Sequence, residues 1–148
     1  MRVGELSSLD AVLIVKHSEF ARGIPGYGHT INETLAIAKI QGLRLAIKYH
    51  PREFRGDFLS VGNSKGITVL PQSLPVELLY IITSKQIKFI IGDISTSLLT
   101  AKWLLNNAAV ISIALLLDQT DPKLLKTFRK LGIKVVENIA EIWSIVRQ

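Results

Sequence analysis

His50 and Pro51 form the pair whose chemistry is easiest to state. Proline fixes the backbone after His50 and pushes the histidine towards an extended conformation, so that its ring can point into a crevice. An imidazole there donates to a phosphate oxygen and, when protonated, stabilises or protonates a departing phosphate. A lone His-Pro is more commonly a surface loop. Ser95, Thr96 and Ser97 are the second candidate: consecutive hydroxyls where a helix is expected to start. Unpaired backbone N–H groups and a dipole contribution of about 0.3–1 kcal/mol make such a position ready for phosphate. One hydroxyl suffices for an ordinary N-cap, and taken alone that is the stronger reading. Glu77, early in another expected helix, either complements the helix dipole or accepts both hydroxyls of a ribose. Lys48 either meets a base carbonyl or a phosphate, or snorkels at the sheet edge. His17 and His29 read as structural or loop histidines.

These residues need a scaffold that brings strand ends together. Short apolar runs alternate with amphipathic segments, the pattern of an α/β domain with a parallel sheet. Strands are expected at Ala11–Lys16, Leu43–Tyr49, Gly66–Leu70, Lys88–Ile91, Val110–Leu117 and Lys134–Val136. The spacing predicts helices from Thr30 to about Gln41, opened by the capping-box pattern Thr30-Ile31-Asn32-Glu33, and from Pro75 to about Ser84. Further helices are predicted to end near Asn106, to run over Pro122–Leu131 after the cap Asp121, and to close the chain at Ile139–Val146. A loop carrying Gly23, Pro25, Gly26 and Gly28 precedes the first helix. Residues Arg52–Lys65 read as a loop around a short helical turn near Phe54–Leu59. With no repeat, low-complexity tract or linker, residues 1–148 read as a single Rossmann-like domain, a parallel sheet flanked by helices. In such sheets ligands bind beyond the carboxyl ends of the strands, where the strand order reverses. His17-Ser18, Lys48 with His50-Pro51-Arg52, Glu77, and Gly92-Asp93 with Ser95–Ser97 all follow strands.

Composition narrows the chemistry. The 148 residues contain no cysteine, which excludes a disulfide scaffold, a thiol nucleophile and a cysteine-ligated metal, and only three histidines. Apolar residues make up 48% and charged residues 20%, as in a folded globular domain, and a chain this long buries roughly 70% of its unfolded surface. The net charge of +6 favours anionic partners without choosing among them. The longest apolar run, Ala108–Leu117, has ten residues where a membrane span needs about 20; it reads as a buried strand. Residues Met1–Asp10 lack a signal-peptide layout, so the expected location is cytoplasmic, peripheral at the inner membrane face at most. The Gly23–Gly28 loop departs from G-x-G-x-x-G, and no G-x-x-x-x-G-K-[ST] is present.

In order, Lys48-Tyr49-His50-Pro51-Arg52, Leu74-Pro75-Val76-Glu77-Leu78-Leu79, Ile90-Ile91-Gly92 and Ser95-Thr96-Ser97-Leu98 resemble the carboxyl-terminal half of bacterial sialyltransferases. The likeness, over about Ala11 to Leu105, is to alpha-2,8-polysialyltransferase-like and lipooligosaccharide sialyltransferases. Those enzymes have the GT-B architecture, two Rossmann-like domains facing a cleft, the second binding CMP-sialic acid. The resemblance implies that His50, in its motif with Pro51, contacts the donor phosphate and assists departure of CMP. It implies that Thr96 and Ser97, with Ser95 adjacent, bind the same phosphate, that Glu77 holds the ribose hydroxyls and that Lys48 lies near the cytosine. No metal or other cofactor is implied. The family's general base lies in an acidic-acidic-glycine motif of the amino-terminal half. Arg55-Gly56-Asp57 and Gly92-Asp93 do not match it, so the resemblance implies an incomplete enzyme that binds donor better than it transfers it.

The reading that follows is the donor-binding domain of a sialyltransferase-like glycosyltransferase, with CMP-sialic acid or CMP, a glycan acceptor and an amino-terminal GT-B half as its partners. The alternative is a non-catalytic α/β module that binds a nucleotide or another anionic ligand in the same crevice. Specific nucleic-acid binding is not expected, because the aromatic residues form no stacking platform interleaved with basic ones.

Overall fold

The computed structural model describes residues 2–147. Its centre is a parallel sheet of six strands: β1 (Ala11–Ile14), β2 (Leu45–Lys48), β3 (Ile67–Val69), β4 (Phe89–Gly92), β5 (Ala109–Ser112) and β6 (Lys134–Val135), in the order β3-β2-β1-β4-β5-β6. Helices α1 (Val3–Leu6), α2 (Ser18–Arg22), α3 (Tyr27–Ile40), α4 (Val76–Thr83), α5 (Thr96–Leu104), α6 (Pro122–Lys130) and α7 (Ile139–Arg147) complete the chain. The fold is α/β and Rossmann-like, as the sequence pattern predicts.

The period of two along the strands sorts their side chains into two cores. Ala11, Leu13, Leu45, Ile47, Ile91 and Ile111 pack with Ile31, Leu35 and Ala38 of α3 and Ile142 and Val146 of α7. Val12, Ala46, Ile90 and Val110 face the other way, onto Leu79 and Tyr80 of α4, Leu98 and Ala101 of α5 and Phe128 of α6. The four inner strands, β1, β2, β4 and β5, are thus covered on both faces, which explains their nearly unbroken apolar runs.

Four local expectations are corrected. The loop after β1 contains helix α2, its N-cap His17 accepting from the Glu19 N–H at 3.2 Å. Helix α3 begins at Tyr27 rather than Thr30: Gly26, at φ +71°, supplies the left-handed turn that opens it, so Thr30 to Glu33 lie within the helix. No helical turn forms within residues 54–59. Asp57 organises that segment instead, accepting from Tyr49 Oη and from the Val61 and Gly62 N–H groups. The fifth strand ends at Ser112, and Ala114–Leu117 is a 3₁₀ turn. Its partner β6 reaches only to Val135, opposite Ser112, so residues beyond have no ladder to join. The other strand ends fall within one or two residues of expectation, and Pro75 is the N-cap of α4 rather than its first residue. Among the described residues no helix is long and apolar enough to cross a membrane.

Candidate functional site

The strand order reverses between β1 and β4, and a cleft of about 680 Å³ opens beyond their carboxyl ends. This volume is in the range of small-ligand sites. Its lining includes every residue singled out from the sequence, Lys48, His50, Pro51, Glu77, Ser95, Thr96 and Ser97, together with Lys16, His17 and Asp93. One close approach shapes its floor. A Cβ on Gly92 would meet Leu98 Cδ2 at 3.1 Å and Ile14 Cβ at 3.5 Å, so glycine lets the first turn of α5 sit against the sheet.

His50 follows β2 directly, and its Nδ1 accepts from the Arg52 N–H at 3.1 Å. This contact assigns the ring proton to Nε2, which leaves an N–H donor for a ligand. Partial burial lowers the His50 pKa, reinforced by the nearby His17, Arg52 and Lys48 side chains and opposed by Glu53. The ring is therefore held as a neutral hydrogen-bond donor. His17, read from sequence as a loop histidine, lies 5.6 Å away between ring centroids, and its Nε2 meets the Arg52 carbonyl at 3.0 Å. It clamps the His-Pro turn to the end of β1. His29 lies on α3, 3.4 Å from Glu33, outside the cleft.

Glu53 is the second clamp, and sequence reasoning passed it over. Its buried carboxylate accepts from the Ser18 N–H at 2.6 Å, the Ser18 hydroxyl at 2.8 Å and the Arg55 N–H at 2.9 Å. Burial works to raise its pKa, but these hydrogen bonds outweigh it and hold the carboxyl below its ordinary value. The Gln72 amide donates to the carbonyls of His50 and Glu53, tying the same turn to the chain after β3. Adjacent strand ends are what make Ser18 and Glu53 meet, and that adjacency has no local sequence signal.

Lys48 does not snorkel at an edge. Strand β2 lies inside the sheet, Lys48 is buried, and its ammonium donates to the Tyr49 carbonyl at 2.9 Å and the Gln72 carbonyl at 3.1 Å. Burial lowers its pKa. Glu77 stands exposed in the first turn of α4. Three residues on, Tyr80 donates to the Ser97 carbonyl at 3.0 Å and fixes α4 against α5. Ser95 is the N-cap of α5, accepting from the Ser97 N–H at 3.1 Å. The side-chain hydroxyls of Thr96 and Ser97 make no hydrogen bond among the described residues. The three hydroxyls therefore divide into one cap and two groups available to a ligand.

Lys16 and Asp93, next to the ends of β1 and β4, complete the floor. The Lys16 N–H donates to Tyr27 Oη at 3.0 Å, so the first residue of α3 anchors the end of β1. Burial raises the Asp93 carboxyl above its usual pKa, against the opposing effects of Lys16 and of the Asp93 and Ile94 N–H groups. Asp93 is among the residues that the sequence pattern places after a strand, whereas Lys16 was counted within the first strand, which ends two residues earlier at Ile14.

Residues 28–114 match the family model for alpha-2,8-polysialyltransferase (POLYST), which is more than half of the chain. The matched stretch includes His50, Glu77 and Ser95 to Ser97 and excludes Lys16 and His17. No curated protein matches the chain.

Proposed function

The chain belongs to the alpha-2,8-polysialyltransferase family, and on that premise we propose that it forms the donor-binding domain of a sialyltransferase-like glycosyltransferase. The donor is CMP-sialic acid and the acceptor a glycan hydroxyl. The bond between the sialic acid anomeric carbon and the phosphate oxygen breaks, its electron pair leaving with CMP, while the acceptor oxygen forms the new glycosidic bond. In this reading His50 Nε2–H, the Thr96 and Ser97 hydroxyls and the N-terminus of α5 meet the phosphate charge, work a divalent ion would otherwise do. Glu77 accepts the ribose hydroxyls, and Lys48, with two of its protons on carbonyls, has one left for the cytosine. The acceptor proton goes to a base on an amino-terminal half of GT-B architecture. With its ring proton on Nε2 and its pKa lowered, His50 acts here by donating a hydrogen bond to the leaving phosphate.

One observation carries the reading: a member of this family gathers His50, Glu77 and the free hydroxyls of α5 around one cleft at the switch point. Calorimetric titration with CMP, against UMP and AMP, tests it. CMP is expected to bind selectively, with affinity reduced about tenfold or more in His50→Ala and in the Thr96→Ala/Ser97→Ala variant, and unchanged in Asn63→Ala. Absence of any preference for CMP in the folded protein would overturn the donor assignment and favour a module for some other anionic ligand. Equal CMP affinity in wild type and His50→Ala would remove that residue from the site.

A further inference from the structure

The lysine that motif spacing singles out and the lysine in the middle of the cleft floor differ in what their ammonium groups can still do. Lys48 Nζ is held by two carbonyls at 2.9 and 3.1 Å. Among the described residues Lys16 Nζ has one partner, Asp93 Oδ2 at 3.5 Å. That separation allows charge pairing but exceeds the roughly 2.7–2.9 Å of a good ammonium–carboxylate hydrogen bond. Asp93 Oδ2 is sealed from solvent and has no hydrogen-bond partner among the described residues. The two side chains are 24% and 4% exposed and both residues line the cleft, so Lys16 is the more open of the pair and Asp93 Oδ2 the sealed one. Both residues sit where the strand order reverses, the place at which open α/β sheets bind ligands.

We propose that Lys16 and Asp93 form an anion-binding pair at the switch point, in which Lys16 takes a phosphate oxygen of a nucleoside monophosphate and Asp93 holds the ammonium over the floor. A buried carboxylate with one loose partner is costly unless the arrangement does something else. Here it keeps a second cation in the cleft that Lys48 also lines, while leaving two of the Lys16 protons directed to no group among the described residues. The phosphate then lies under His50 on one side and the first turn of α5 on the other. The kind of nucleotide rests on the donor reading above; the anion site does not.

The test compares CMP with cytidine, which lacks the phosphate, by calorimetry. The variant Lys16→Met/Asp93→Asn removes both charges and strands neither, and its thermal transition verifies folding; Lys16→Arg restores a cation. The expected result is a loss of about tenfold to a hundredfold in CMP affinity for the double variant, unchanged cytidine affinity, and substantial recovery in Lys16→Arg. An unchanged ratio of CMP to cytidine affinity, or an equal fall in both, would overturn the pair. Inorganic phosphate, followed by amide chemical shifts, separates the two readings. If phosphate moves Lys16 and Asp93 in wild type while CMP is not preferred over UMP and AMP, the pair stands and the donor assignment fails. If CMP is preferred and its advantage over cytidine survives in the double variant, the donor assignment stands and the pair fails. If neither phosphate nor any nucleotide binds, both fail.

Discussion

The same three strands, β2, β1 and β4, carry a buried aspartate at each end of the sheet, and the two are treated in opposite ways. Asp10, before β1, is 4% exposed and Asp93, after β4, is 3% exposed, so burial does not distinguish them. Partners do. The Asp10 carboxylate accepts from the Arg44 N–H and Nε, both at 2.9 Å, from Arg44 Nη2 at 3.2 Å, and pairs with Lys88 Nζ at 3.1 Å. Arg44 precedes β2 and Lys88 precedes β4, so one carboxylate clips the entrances of three neighbouring strands. The Arg44 hydrogen bonds lead in holding its pKa far below the usual carboxylate range, with Lys88 adding to them. Among the described residues Asp93 has one ion pair, the loose contact with Lys16, and its pKa moves the other way. At the entrance end of the sheet the carboxylate is fully partnered; at the cleft end Asp93 Oδ2 has no hydrogen-bond partner among the described residues.

Substitutions at the two ends can break or sharpen this contrast. The largest effect is expected for Asp10→Asn, about 2–3 kcal/mol of lost stability in urea unfolding at neutral pH. Because the folded pKa is depressed, the Asp10 contribution is complete above the unfolded value of about 4 and is lost as pH falls through the folded one. The acid limb of the wild-type stability curve should therefore be steeper than that of Asp10→Asn, and parallel limbs would show that the clip adds nothing. Next comes Glu53→Gln, expected to cost about 1–2 kcal/mol and to weaken CMP binding severalfold by loosening the His50 turn. Full retention of affinity would mean that Arg52 and Gln72 hold that turn unaided. The smallest effect belongs to Asp93→Asn. A raised folded pKa means that the ionised carboxyl opposes folding increasingly as pH rises from the unfolded value through the folded one. The variant should match or slightly exceed wild type at pH 7, and the gap should close near pH 4. A loss of more than about 2 kcal/mol would place Asp93 with Asp10 as a structural anchor and erase the comparison.

Much of this was legible along the chain. Short, mostly apolar runs marked all six strands, and strand ends pointed to His50, Glu77 and Ser95 to Ser97, which do line one cleft. What escaped depends on contacts between segments distant in sequence. The clamps His17 and Glu53 act only because β1 and β2 are neighbours in the register Ile14 to Lys48. The start of α3 was misplaced because a left-handed Gly26 opens the helix without a side-chain cap, whereas the cap spacing at Thr30 was conspicuous and idle. The fifth strand was overextended because Ile113 to Leu117 stay apolar after the ladder has ended, and apolarity reports burial, not pairing.

The order β3-β2-β1-β4-β5-β6 also has a consequence for how the molecule comes into being. Three strands on one side of the switch point join through successive crossovers, and three on the other side do likewise. Within the sheet a single seam, β1 against β4, unites them, with Ala11 in register with Phe89, far along the chain. Contacts separated so widely in sequence form slowly, because the loop-closure entropy must be met before they are rewarded. The cleft straddles that seam. Its competence should therefore appear late in refolding, after most of the helical signal, so a fluorescent nucleotide would time the closure of the two halves more sharply than any measure of secondary structure.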